Sequence, residues 1–351
     1  MRDCLYGHSE SYKRIIYNPS DIIGGAKEIT SKVIYSIAVL VVMIILVVAI
    51  AISLSTAPEI QILPRRSAIP VDALKVMPEN DSLPPILHVD LWMDPVPLPA
   101  TVNTAGAEDS AFIIPNGSAL YFFFTPNASV PPEEQLFDGV TGVYISHNHN
   151  GTWTEAERII LQDHGKLALD GAVFVQENLM WFASAREGYV GVNLFTAEFK
   201  DGIWSNWKYA GDKLNKDYRV GEMHISSNGK FLYFHSDRPG GKGQLDLWVT
   251  ENLGGAWQPP INLEAVNTEG DEGWPFLSED MTELWFMRTY MGSPAIYRSV
   301  YENSTWSEPQ LIISQFAAEP SLDSYGNIYF IHHYVTGGKI IEADIYVAYR
   351  K

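Results

Sequence analysis

The chain has 351 residues and a single cysteine, Cys4, so no disulfide can form within it. A domain without disulfides must be held by its own apolar core. Cys4 lies far from the long apolar run and reads as an ordinary cytosolic thiol. Positive charge is also scarce, with 24 Lys and Arg against 42 Asp and Glu and a formal net charge of −18. Nucleic acid and anionic membrane surfaces repel such a chain, so nucleic acid is excluded as a partner. Three catalytic signatures are missing: Gly-x-Ser-x-Gly, Gly-x-x-x-x-Gly-Lys-Ser/Thr and His-Glu-x-x-His.

One long apolar stretch is present. Val33 to Leu54 is 22 residues without a charge. As a helix it would be about 33 Å long, enough to cross a bilayer core. The run is too long, and starts too late, for a cleaved signal peptide. Arg2, Lys13, Arg14, Lys27 and Lys32 precede it, while Arg65 and Arg66 follow at a distance. That bias places the N-terminus in the cytoplasm and the rest outside the cell. The expected order is a tail over 1–32, a transmembrane helix over 33–54, a stalk over 55–84 and one domain over 85–351. Pro58, Pro64, Pro70, Pro78 and Pro84 make the stalk extended. Asn-x-Ser/Thr sequons at Asn80, Asn116, Asn127, Asn150 and Asn303 all fall on the external side.

The remainder repeats. Trp153, Trp204, Trp257 and Trp306 are 51, 53 and 49 residues apart, each after a polar turn. An aromatic pair recurs five times: Tyr121-Phe122, Trp181-Phe182, Tyr233-Phe234, Trp285-Phe286 and Tyr329-Phe330. So does an aliphatic followed by an aromatic: Val143-Tyr144, Leu194-Phe195, Leu247-Trp248, Ile296-Tyr297 and Ile345-Tyr346. Short strands in such units, with no helical period between them, predict an all-β, five-bladed β-propeller. The last unit lacks its tryptophan strand. Trp92 to Leu98 matches Trp257 to Leu263 at Trp, Pro and Leu, and Val-Asn-Thr follows both, at 102–104 and 266–268. The N-terminal strand is therefore expected to complete the fifth blade and remove its open edge.

The stretch Ile225 to Gly243, with Asn228-Gly229, Leu232-Tyr233-Phe234 and Ser236-Asp237-Arg238-Pro239-Gly240-Gly241, resembles the PD40 family of WD40-like repeats, related to the propeller of periplasmic TolB. The resemblance is strongest over about residues 215–310. It implies a propeller that often binds protein or glycan, and it implies no single activity.

Chemistry is sparse. Aligned on the aromatic pair, Asp170 and Glu222 take one place at the start of the innermost strand and Glu319 falls within one residue of it; Glu272 lies two residues earlier, and Asp109 and Ser110 fill the place in the first unit. Innermost strands line a propeller's channel, so Asp109, Asp170, Glu222, Glu272 and Glu319 are the candidate ligand-binding residues at its mouth. They could equally fix blade packing through backbone amides. No motif specifies a cofactor; such a set of oxygens would suit a hard cation such as Ca2+. His147 with His149, and His332 with His333, read as surface histidines, and Asp237-Arg238 as a loop ion pair. The sequence thus leans toward a cell-surface binding module for a protein, glycan or envelope component rather than an enzyme. The alternative is a glycoside hydrolase working with a pair of channel carboxylates.

Overall fold

The computed structural model describes residues 63–215 and 218–351. The helix expected over 33–54, the tail before it and residues 55–62 of the stalk lie outside them. Among the described residues no helix is long and apolar enough to cross a membrane.

The described chain is mostly strand. Two short strands come first, β1 (Ile86–Leu87) and β2 (Val96–Pro97). Antiparallel units follow in chain order. β3 (Ala107–Ile113), β4 (Ala119–Thr125) and β5 (Gly142–His149) form the first, with β6 (Thr152–Trp153) and β7 (Glu157–Arg158) both paired to β5. β8 (Ala168–Gln176), β9 (Leu179–Arg186), β10 (Asn193–Lys200) and β11 (Ile203–Tyr209) form the second. The third is β12 (Val220–Ile225), β13 (Phe231–Ser236) and β14 (Asp246–Leu253), with β15 (Ala256–Trp257) and β16 (Ile261–Asn262) on β14. In the fourth, β17 (Glu272–Leu277), β18 (Glu283–Tyr290) and β19 (Ser293–Glu302) carry β20 (Thr305–Trp306) and β21 (Gln310–Ser314). The last has β22 (Ala317–Leu322), β23 (Ile328–Thr336) and β24 (Lys339–Ala348). The innermost strands touch in sequence: β3 against β8, β8 against β12, β12 against β17, β17 against β22, and β22 back against β3. Meanders whose inner strands follow one another around an axis are a β-propeller.

The aromatic pair shows how each unit is held. Neighbouring residues of a strand point to opposite faces. The second member of each pair, Phe122, Phe182, Phe234, Phe286 or Phe330, is wholly buried. Each such burial is worth roughly 1.5–3 kcal/mol. The first member faces the next unit and meets its tryptophan edge-on. Tyr121 meets Trp204 at 6.4 Å between centroids, Trp181 meets Trp257 at 5.8 Å, and Tyr233 meets Trp306 at 6.4 Å. Trp285 meets Trp92 at 5.7 Å, and Tyr329 meets Trp153 at 6.4 Å. The two recurring aromatic patterns are thus the two halves of one contact between units.

The N-terminal strand joins the last unit as expected. Val96 pairs with Val347, Pro97 with Tyr346, and Trp92 bridges to Arg350. The Val-Asn-Thr motif seats it. Asn103 donates from Nδ2 to the carbonyls of Leu98 and Ile345 and accepts the Ile345 N–H at Oδ1. Asn267 does the same for Leu247 in the third unit, donating to its carbonyl and accepting its N–H. One pairing is new: Ile86 and Leu87 of β1 add to β21 of the fourth unit. The entering chain therefore covers two neighbouring units.

The described part of the expected stalk, 63–84, does not stand clear. Arg65, in a short helix α1 (Arg65–Ala68), is buried against the first unit, 3.1 Å from Glu108. Lys75 pairs with Glu342 and Asp344 of the last unit. Asp81 lies 2.8 Å from His332 Nε2. Prolines stiffened the segment, but buried carboxylates on the propeller supply partners that its cations satisfy. Four of the five sequon asparagines, Asn80, Asn116, Asn150 and Asn303, are exposed, and Asn127 is half-buried.

Candidate functional site

Every inner strand carries a β-bulge at the same place. The register slips between Asp109 and Phe112, Gly171 and Val173, Gly221 and Met223, Gly273 and Phe276, and Ala318 and Ser321. A bulge re-aims a side chain. Here it turns Ser110, Ala172, Glu222, Trp274 and Glu319 toward the centre, where all five line one cavity. Four of them hold left-handed backbone: Ser110 at φ 50°, Ala172 at 47°, Trp274 at 53° and Glu319 at 57°. For a residue with a Cβ that conformation is strained.

Below the bulge the next inward residues are Phe112, Phe174, His224, Phe276 and Ser321, which form a floor. Phe112 and Phe174 lie 5.0 Å apart, Phe174 and His224 4.4 Å, and His224 and Phe276 4.5 Å. Burial pushes His224 down to about 3, so it packs as a neutral ring, and its Nδ1 accepts the Leu277 N–H. Ser321 Oγ accepts the Ile113 N–H from the adjoining unit. These packed rings narrow the channel. Above them remains a well of about 40 Å³. That volume takes a few waters or a bare ion. It falls far short of the 300 Å³ or more of an ordinary ligand pocket.

The five candidate carboxylates divide into two sets. Glu222 and Glu319 line the well, and Asp109 approaches Glu319 at its edge. Burial, then the Asp109 charge, pushes Glu222 up to about 7. Burial, then the charges of Asp109 and Glu222, raises Glu319 well above the ordinary carboxylate range. Glu319 is 8% exposed, and its Oε2 has no hydrogen-bond partner among the described residues. Glu222 is more open, its side chain 26% exposed. His235 Nε2 faces it at 3.4 Å, and Ser110 Oγ lies 3.5 Å away. Since His235 Nδ1 accepts the Trp274 N–H, the proton of its neutral ring sits on Nε2.

Asp170 and Glu272 do not join this set. Asp170 takes Arg186 at 2.6 Å and the Ser184 hydroxyl at 2.6 Å. Glu272 takes Arg288 at 2.8 Å together with the N–H and hydroxyl of Thr268. Their counterpart in the first unit is Glu108, held by Arg65 and by Thr104 in the same way. Alignment on the aromatic pair misplaced Asp170 because the β8–β9 turn is short. Val175 pairs with Met180, whereas Ile113 pairs with Leu120 and Ile225 with Leu232. Two fewer turn residues put the bulge at Ala172 rather than Asp170. These two acids are architectural.

Sequence reading missed His333. It is buried, not on the surface, and its Nε2 lies 3.7 Å from Asp109 Oδ1. Asp109, Glu319 and His333 each bring one ligand atom within 4.8 Å of the others. Two hard oxygens and an imidazole could hold a divalent cation there. His332 beside it is fully buried against Asp81. His147 and His149 are exposed and stacked. Asp237 pairs with Arg219 at 2.8 Å rather than with Arg238.

No protein-family model matches the chain, and neither does any curated protein. Solved structures match only distantly. TolB from Acinetobacter baumannii is 12% identical with a TM-score of 0.44, over 72% of this chain and 56% of that one. Endo-arabinase from Bacteroides thetaiotaomicron is 14% identical with a TM-score of 0.45, over 73% of this chain and 97% of that one. The GH43B protein of the Bacteroides ovatus xyloglucan locus is 13% identical with a TM-score of 0.44, over 72% and 54%. The chain thus spans little more than half the length of the TolB neighbour. Likeness this remote leaves the strand pairing itself as the ground for the fold.

Proposed function

We propose that the chain is a five-bladed β-propeller, closed by its N-terminal strand, that acts as a binding module for a protein or glycan ligand. On this reading it is held at the outer cell surface by one transmembrane helix over 33–54, with the N-terminus cytoplasmic. The observation that carries the choice of binding over catalysis is the size of the acidic well. At about 40 Å³ above packed rings, it is far smaller than the pockets that enclose a sugar-sized ligand. The apolar run and its basic flank support the anchor.

A glycoside hydrolase remains the second reading, favoured by one observation. Glu222, pushed up to about 7 beside Asp109, has the protonation a general acid needs. Reducing-sugar release from a panel of polysaccharides separates the two. The binding reading expects none from the full-length protein. Release that disappears in a folded Glu222→Gln variant would establish the enzyme instead. Protease applied to intact cells should shed the propeller while residues 1–32 stay protected; loss of the N-terminal tail would reverse the orientation.

A further inference from the structure

Each propeller unit sets a cation against its aromatic residues. Arg65 lies over Phe122, Phe124 and Tyr144, Arg186 over Phe182, Phe195 and Trp207, and Arg288 over Phe286 and Tyr297. Lys75 lies over Tyr334. All four also hold a carboxylate: Glu108, Asp170, Glu272, and Glu342 with Asp344. The third unit has the same cation, Arg238, 4.7 Å over Phe234, 5.2 Å over Tyr218 and 5.4 Å over Trp248.

Arg238 differs in its company. Asp170, the partner of Arg186, stands opposite Ser184 just before its bulge. The residue opposite Ser236 at the same register in the third unit is Val220. Ser236-Asp237-Arg238 keeps the spacing of Ser184-Ala185-Arg186, so the cation is retained and its acid is replaced by an isopropyl group. Among the described residues Arg238 makes no ion pair. Its Nη2 donates to the Leu214 carbonyl at 3.0 Å, its Nε is buried without a partner among the described residues, and the residue is 8% exposed. Neighbouring Asp237 is engaged by Arg219. Burial draws the Arg238 guanidinium down to about 10, against the opposing pull of Tyr218 and Asp237, and it remains charged at neutral pH.

A pocket of about 310 Å³ opens in front of it. Arg238, Tyr218, Trp248, Pro239 and Pro260 line it, and Lys213 stands at its edge, its ammonium group donating to the Trp257 carbonyl at 2.9 Å. A buried guanidinium is suited to bidentate recognition of a planar carboxylate. Flat aromatic and proline faces would take the body that carries it. We propose that this pocket binds a carboxylate-bearing group about the size of one sugar ring or one amino acid. The ligand's carboxylate then takes the part that Asp170 plays for Arg186.

The proposal deepens the binding reading by giving it a ligand chemistry, at a site separate from the acidic well. It is tested on the full-length protein by calorimetric titration with D-glucuronate against D-glucose, and with N-acetylglutamate against N-acetylglutamine. At least one acid should bind, at least tenfold tighter than its neutral counterpart, and which acid binds distinguishes a sugar source from a peptide one. Val220→Asp restores the internal acid in the pattern of Asp170 and Arg186. It should stay folded by circular dichroism and lose that binding at least tenfold. Arg238→Gln should lose it as well. Binding unaltered in a folded Val220→Asp, or no preference for acid over neutral probe, would overturn the site. The propeller could still bind other ligands through its loops, so that failure would leave the broader reading standing.

Discussion

The indole of Trp92 stands edge-on to that of Trp285, with centroids 5.7 Å apart and planes at 90°. Trp92 comes from the first strand to enter the last unit, and Trp285 from the unit before it, 193 positions along the chain. Their contact repeats what Trp153, Trp204, Trp257 and Trp306 do with the preceding unit. Edge-to-face pairs add about 0.5–1.5 kcal/mol beyond burial. Trp92 is 2% exposed, and its Nε1 donates to the Gly326 carbonyl at 2.8 Å. Trp92→Ala should therefore cost about 3–5 kcal/mol. Urea unfolding measures it, and a change below about 1 kcal/mol would mean that this strand does not hold the ring closed.

Asp170 and Arg186 form a buried pair, 4% and 6% exposed. Arg186→Met leaves the carboxylate alone in the interior and should cost about 3–5 kcal/mol. The combined Asp170→Val and Arg186→Met variant should cost less than Arg186→Met alone, because Val220 already fills that place in the third unit. A double-mutant cycle reads the difference. Costs that simply add would show that the two residues act independently.

Glu222 has a native pKa of about 7 against an ordinary 4.5. Between those pH values the native state keeps a proton that the unfolded chain has released. Stability from this group therefore falls as pH rises through that window and stays low above it. Glu319, also raised, acts in the same direction. Glu222→Gln should match the wild type near pH 4 and exceed it at pH 8, by about 1 kcal/mol given its partial exposure to the channel. Chemical unfolding at the two pH values tests this. A difference independent of pH would place its cause outside the titration.

Ala172 sits at φ 47° on its bulge. Glycine adopts that backbone without strain. Ala172→Gly should stabilise by up to about 1 kcal/mol, whereas Ala172→Val, adding a β-branch, should destabilise. Melting temperatures of the two variants report the sign. A loss in Ala172→Gly would show that chain entropy outweighs the relieved strain.

Residues 63–84 should resist limited proteolysis as the propeller does, because Arg65, Lys75 and Asp81 all bond to it. Arg65→Met strands Glu108 and should open that segment to cleavage. Prompt cleavage there in the wild type would restore the picture of a free stalk.

Local pattern along the chain is enough to fix its strands and its units. Period-two alternation makes the strands, and the pairs from Tyr121-Phe122 to Tyr329-Phe330 mark each unit because one ring faces its own sheet and the other its neighbour. The match of Trp92 to Trp257, with Val-Asn-Thr after each, was enough to place the closing strand, since the same Asn performs the same bonding in both. Which acids meet depends on the closed ring. A turn two residues shorter before Met180 puts the bulge at Ala172 rather than Asp170, and only the residue on the bulge is re-aimed into the channel. His333 reaches Asp109 only because the last and first units are neighbours around the ring. Arg65 and Lys75, read as part of a stalk, find their acids 43 and 267 positions away. Convergence over such separations leaves no mark in local spacing, because closing the ring is what brings those residues together.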